Sequence, residues 1–182
     1  MLTLADIEQL FAERGGEQYS GEPVTQLEHA LQTARQAEVE GASDELVTAA
    51  LLHDLGHLLH DFDNTPSLRG VDDVHQYRAL PFLRGLFSDD VLNAIKFHVD
   101  AKRYLCATRA DYHAALSEDS KRSLILQGGI FGAREAENFI AQAGATDAVR
   151  LRIWDDLAKA EGLVTPPLNH FMQRAEQCAV RA

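Results

Sequence analysis

The sequence predicts an all-α fold in one helical domain, and three observations lead there. Apolar residues recur at helical spacing through most of the chain, and no run alternates apolar with polar residues between turn signals as a strand does. At 182 residues the chain lies in the single-domain range and can bury one substantial core. No repeat, low-complexity tract or linker composition divides it, so residues 1–182 are expected to form one domain.

The first helix, about 3–14, is read from "MLTLADIEQLFAERGG", whose early acidic residues and helical spacing differ from the basic start and unbroken apolar run of a signal peptide. The second, about 24–40, has Pro23 near its start and Gly41 past its end. The third, about 44–60, has Ser43 as N-cap and Asp44 and Glu45 in the first turn, where the helix dipole favours acids. The segment "FDNTPSLRGVDD" reads as a loop by its Asn, Pro and Gly content. Helical spacing resumes over about 73–85, 88–98, 109–115 and 118–127, and "LQGGIFG" ends the last of these at Gly128 and Gly129. Three further helices are expected over about 132–142, 145–161 and 167–180.

Composition restricts the partners. With 17 basic against 28 acidic residues the formal charge is -11, which argues against nucleic acid or an anionic membrane surface. Any anionic ligand needs a local basic pocket. No apolar run approaches the roughly 20 residues of a membrane helix. The two cysteines, Cys106 and Cys178, have no CxxC spacing, so neither a disulfide framework nor a cysteine zinc site is indicated, and a reducing cytoplasm is expected. Oligomeric state is not legible.

The stretch "LLHDLGHLLHDFD" carries the chemistry. His53, His57 and His60 fall at i, i+4 and i+7 and share one helix face, while Asp54 is displaced by about 100°. One reading is a core helix with tolerated polar residues. The other is a metal site, because a carboxylate buried among leucines is costly unless a cation or strong donors compensate it. His29 in the preceding helix, His75 in "DDVHQY", His98 in "IKFHVDAKRYL" and Asp155 in "RIWDDLAK" add imidazole and carboxylate without thiolate. Such a set suits iron, manganese or zinc, and six ligands suit two ions sharing a carboxylate. His60, His113 and His170 lack supporting spacing and are read as bystanders.

The order His29, His53-Asp54, Asp155 resembles the H...HD...D signature of the HD-domain superfamily, all-helical metalloproteins that are mostly phosphohydrolases. Adding His75 and His98 gives a pattern similar to the dinuclear subset, which holds phosphodiesterases and mixed-valent diiron oxygenases. "YSGEPVTQLEHALQTA", "ALLHDLGHLL", "HVDAKRYL" and "LRIWDDLAK" together resemble the small diiron oxygenases of phosphonate catabolism, including the trimethylammonio-selective kind. That likeness spans roughly residues 17 to 175 and is weak in the first 15 residues and between about 107 and 145. The related myo-inositol oxygenases are longer chains.

The resemblance implies a single HD-domain bundle in which His29, His53, Asp54 and Asp155 hold one iron and Asp54, His75 and His98 the other. It implies a Fe(II)/Fe(III) pair with dioxygen as co-substrate, the ferric ion chelating the substrate. The implied reaction cleaves the C-P bond of a 1-hydroxy-2-amino- or 1-hydroxy-2-(trimethylammonio)ethylphosphonate, giving phosphate with glycine or glycine betaine. It further implies that Tyr19 and Glu22 form a lid, Tyr19 leaving an iron site when substrate arrives and Glu22 receiving the amine. For His57 it suggests a base or hydrogen-bond partner for the substrate hydroxyl; the alternative is a histidine that only orients a ligand.

Other residues are chosen by their own chemistry. A phosphonate dianion needs cations in this acidic protein, and Lys102 lies one turn after His98 if that helix continues. Arg152 lies one turn before Asp155, and its guanidinium suits two phosphonate oxygens. Each has the alternative of a solvated face; Arg103 and Lys159 read as surface charges. Ser123 and Gln127, beside Gly128 and Gly129, are candidates for further hydrogen bonds, although a helix end explains the glycines equally well. Tyr104 or Phe62 is a candidate lining for the amine end. Gly56 in mid-helix costs about 1 kcal/mol and implies a close packing partner. Two alternatives stand beside the oxygenase: an HD phosphohydrolase acting through the same two ions, and a non-catalytic HD domain.

Overall fold

The computed structural model describes residues 1–19, 21–59 and 66–180, and among them the regular structure is helical, with isolated β-bridges at Gln18–Thr25 and Arg84–Phe87. Helix α1 (Leu4–Arg14) is capped by Thr3, whose hydroxyl accepts from the Asp6 amide while Asp6 returns the bond to the Thr3 backbone. The same box, Thr25 with Glu28, starts α2 (Gln26–Val39), and Ser43 caps α3 (Asp44–Leu52). The expected single helix over 44–60 is broken at His53 and Asp54. A short α4 (Leu55–Leu58) follows, and Asp54 has φ -102° and ψ 10°. The His57 amide donates to the Asp54 carbonyl, an i to i+3 bond that tightens the chain there. His60 and Phe62 lie outside the described residues.

A 3-10 turn over Pro66–Arg69 leads to α5 (His75–Arg78) and α6 (Leu80–Leu83), two short helices where one over 73–85 is expected from the spacing. Helix α7 (Asp89–Thr108) runs ten residues past the expected end at 98, because no glycine or proline interrupts "VDAKRYLCAT". The extension buries Ala101, Lys102 and Leu105. Helices α8 (Tyr112–Ala115), α9 (Glu118–Leu126), α10 (Ala133–Ile140), α11 (Ala145–Leu157) and α12 (Leu168–Cys178) complete the chain. The expected helix over 145–161 stops short, at Leu157, where the Ala158 amide turns back to the Asp155 carbonyl.

Helix α3 is the centre, packed against α2, α7, α11 and α12, while α7 and α11 lie along each other. Its Val47, Ala49, Ala50, Leu51 and Leu52 are buried on nearly all sides, so the His53-Asp54 break falls in the interior. No helix among the described residues is long and apolar enough to cross a membrane.

Candidate active site

Five elements deliver the expected ligands to one place. His29 sits one turn into α2, His53 and Asp54 at the break after α3, His75 at the first position of α5, His98 in mid-α7 and Asp155 near the end of α11. All six are buried. Asp54 Oδ2 lies 3.5 Å from His29 Nε2 and 3.3 Å from His53 Nε2. Its Oδ1 lies 3.3 Å from His75 Nε2 and 3.6 Å from His98 Nε2. Asp155 closes the first group, with Oδ1 3.4 Å from His29 Nε2. One carboxylate thus divides its oxygens between two donor clusters, His29, His53 and Asp155 on one side and His75 and His98 on the other.

The donor chemistry demands cations. His29 Nδ1 donates to the Ala158 carbonyl, His53 Nδ1 to Ala50, His98 Nδ1 to Ile95, and His75 Nδ1 to Asp73, all at 2.7 to 2.8 Å. With the proton on Nδ1, each Nε2 presents a lone pair. Yet His29 Nε2 and His53 Nε2 face each other at 3.2 Å, and His75 Nε2 and His98 Nε2 at 3.0 Å. Opposed lone pairs repel, and Asp54 Oδ1 and Asp155 Oδ1 are buried with no hydrogen-bond partner. Metal ions in the two clusters would satisfy all of these atoms at once. Burial raises the Asp54 carboxyl, but in the ion-free chain a second proton on His53 and bonds from protonated His53 and His29 hold it well below the usual range; ions would take the place of those protons. Asp155 is likewise lowered, burial being outweighed by Arg152 and the histidines. Burial and the neighbouring His75 and His53 hold His98 neutral, as a ligand requires.

A cavity of about 70 Å³ adjoins the clusters, and Tyr19, His57, Lys102, Ser123, Gln127 and Arg152 are among its lining. Tyr19 stacks on the His29 ring, centroids 3.9 Å apart and planes 12° apart, and burial with the nearby Asp54 charge raises its phenol. Lys102 is 2 % exposed and donates to Ser123 Oγ at 2.8 Å; burial, then repulsion from Arg152, brings its amine down to about 7. Gln127 Oε1 faces no partner. Arg152 lines the cavity, but its guanidinium also holds Asp155 Oδ2 at 2.7 Å, Asp156 and the Tyr112 hydroxyl.

Several expectations differ. Glu22 is absent from the cavity lining, its carboxylate held at 3.0 Å by Lys159, which is therefore a half-buried partner rather than a surface charge. Arg103 braces the turn after α9, bonding the Gly129 and Gly128 carbonyls, and both glycines have positive φ, so helix termination explains them. Tyr104 packs on Phe139. His170 pairs with Glu38, and His113 is exposed. Gly56 has the packing partner its cost implied: a Cβ there meets the His75 carbonyl oxygen at 2.1 Å.

Asp73 was missed. It bonds His75 Nδ1 and, at 2.8 Å, His57 Nδ1, whose rings stack 4.2 Å apart. The sequence signal was the position two before His75, but "DDV" reads as loop charge. Of the two residues that grip Arg152, Asp156 had only its place next to Asp155 as a signal and Tyr112 had none.

The HD-domain family model matches residues 26–127, which include all the expected ligands except Asp155. A hydroxymethylphosphonate dioxygenase of Gimesia maris is 43% identical over 164 residues, covering 90% of this chain and 82% of that protein. The [1-hydroxy-2-(trimethylamino)ethyl]phosphonate dioxygenase (glycine-betaine-forming) of Leisingera caerulea is 38% identical over 162 residues, covering 89% and 83%. The chain belongs to the HD-domain family, in the group that holds these phosphonate dioxygenases.

Proposed function

We propose that this protein is a dioxygen-dependent diiron oxygenase that cleaves the C-P bond of a small, uncharged-tailed 1-hydroxyphosphonate, of which hydroxymethylphosphonate is the simplest. The carrying observation is the shared Asp54, whose two oxygens serve two donor clusters beside a cavity with a buried lysine. His29, His53, Asp54 and Asp155 would hold one iron and Asp54, His75 and His98 the other. When bound, the pair supplies Lewis acidity toward the phosphonate and hydroxyl oxygens and redox chemistry toward dioxygen.

Likeness and charge support the small substrate. The relative that shares 43% identity is named for hydroxymethylphosphonate. The carboxylate expected to receive an amine is neutralised by Lys159. The reaction balances with dioxygen alone: the carbon loses one C-H bond and the C-P bond, four electrons in all, and formate and phosphate carry the two added oxygen atoms.

The chain's own residues have distinct tasks. Lys102 and Arg152 bind the phosphonate, Lys102 gaining its proton as the dianion enters. Ser123 and Gln127 complete the oxygen contacts. Burial lowers the His57 imidazole, but Asp54 and Asp73 outweigh it and raise it to about 9 in the metal-free chain; ions on Asp54 would offset that charge and leave Nε2 to take the hydroxyl proton. Tyr19 covers His29 and keeps bulk water out. The test is phosphate and formate release from the iron-loaded protein with and without dioxygen. Equal release under anaerobic conditions overturns the oxygenase reading in favour of a hydrolase.

A further inference from the structure

The loop before α5 is built around one side chain. Asp73 Oδ1 accepts from His75 Nδ1 and Asp73 Oδ2 from His57 Nδ1, both at 2.8 Å, and the two rings lie stacked with planes 25° apart. The backbone is strained to achieve this. Val74, between the aspartate and the histidine, has φ 47° and ψ 34°, the one non-glycine positive φ among the described residues. A β-branched residue resists that conformation by about 1–3 kcal/mol. Two contacts hold it: Arg78 Nε bonds the Asp73 carbonyl, and Gly56 leaves room for the His75 carbonyl. Strain kept between a metal-ligand histidine and an unassigned carboxylate points to a role for that carboxylate.

A carboxylate accepts and does not donate, so each Nδ1 it contacts must carry a proton. The consequence falls on the opposite nitrogens. His75 Nε2 is turned toward His98 and Asp54, and His57 Nε2 toward Asp54 Oδ1, at 3.8 Å, on the cavity side, so Nε2 is the nitrogen of each ring left to meet an ion or a ligand.

We propose that Asp73 is a positioning residue that imposes one tautomer on two histidines at once, setting the ligand of the second ion and the substrate-facing base with a single side chain. The proposal rests on the reading of His57 as the base. Asp73 borders the cavity, but each of its carboxylate oxygens is engaged by one of the two rings, and it acts through them.

Asp73→Asn separates this role from simple packing. Asparagine offers one accepting oxygen and one donating nitrogen, so it satisfies one Nδ1-H and must donate to the other ring. Ion binding keeps His75 in its Nδ1-H form, and His57 is the ring forced to carry its proton on Nε2. In zinc-loaded protein, imidazole ¹⁵N shifts report the tautomer without turnover. Wild type is expected to show Nδ1-H at both histidines, and Asp73→Asn to show Nε2-H at His57, with two zinc ions retained by native mass spectrometry. In the iron enzyme kcat should fall by about 10²–10⁴-fold with little change in KM. Adding His57→Ala to Asp73→Asn should lower kcat little further, as for residues acting as a unit.

An Nε2-H His57 in wild type overturns the proposal, as does Nδ1-H persisting in the variant or a kcat loss matched by loss of one ion. If the variant does not fold, the wild-type shifts still decide. Absence of any hydroxyphosphonate turnover in wild type would sink the oxygenase reading while leaving the tautomer measurement standing.

Discussion

Lys102 is a cation in a place where packing alone would put a methionine. It is 2 % exposed and its one side-chain bond goes to Ser123, while burial and Arg152 bring its amine from 10.5 to about 7. A shift of that size costs about 5 kcal/mol. The folded form binds the proton less well than the unfolded chain, so the cost is complete below pH 7 and fades as pH rises towards 10.5. Lys102→Met should therefore stabilise the metal-free protein by about 3 kcal/mol at pH 6 and much less at pH 10, read from urea unfolding at both pH values. The same substitution should abolish phosphonate turnover with iron content intact. Destabilisation at pH 6 would mean that the lysine is not held against its charge. Gly56 is the reverse case, a residue required by space. Gly56→Ala places a Cβ 2.1 Å from the His75 carbonyl oxygen, so a loss of about 1–3 kcal/mol is expected. Native mass spectrometry should then find one ion where wild type holds two. The six candidate ligands were legible as a pattern of imidazole and carboxylate around a carboxylate set among leucines, and Lys102 by its place one turn after His98. Asp73 was not, because its meaning depends on the left-handed Val74, which no local pattern announces.

Between residues and fold stand the breaks and turns that aim side chains. The His53-Asp54 break carries no glycine or proline, so spacing alone continued the helix from 44 to 60 across it. It exists because Asp54 must face two clusters at once, a tertiary demand that overrides local propensity. The capping residues Thr3, Thr25 and Ser43 act within one turn; of these, Ser43 was read from the sequence as a cap. The segment leading into α2 is held by longer reach. The chain reverses between Tyr19 and Glu22, the Tyr19 amide donates to Val24, and Glu22 reaches Lys159 just past α11. That pair fastens the segment carrying Tyr19 to the end of the helix that supplies Asp155. Lys159→Met should cost on the order of 1 kcal/mol locally, which corresponds to about fivefold faster amide exchange at Tyr19. It also frees Glu22, so turnover of the amino substrate should rise relative to hydroxymethylphosphonate. Unchanged exchange would show that the ion pair does not hold the turn.

At the scale of the molecule, the candidate centre is where separate helices are joined. α2, the α3–α4 break, α5, α7 and α11 each contribute a candidate ligand, so ions there would bind the folded chain and not the unfolded one. Without ions the same place is a fault. Asp54 Oδ1 and Asp155 Oδ1 lack partners, and imidazole nitrogens confront one another. Ions and one substitution together test this place. Iron(II), added anaerobically at about a thousand times its Kd, should stabilise by about 4 kcal/mol, raising Tm by about 8–16 °C in a chain of this length. In the metal-free chain the neighbouring histidines favour the Asp54 charge, so Asp54→Asn should lower the metal-free Tm by a few degrees. It also removes the one side chain that reaches both clusters, so the iron-induced rise should largely vanish. Differential scanning calorimetry of both proteins, with and without iron, reads all four values. An iron-induced rise kept in full by Asp54→Asn would assign Asp54 to packing; a rise lost with the carboxylate follows only if Asp54 ties the ions to the fold.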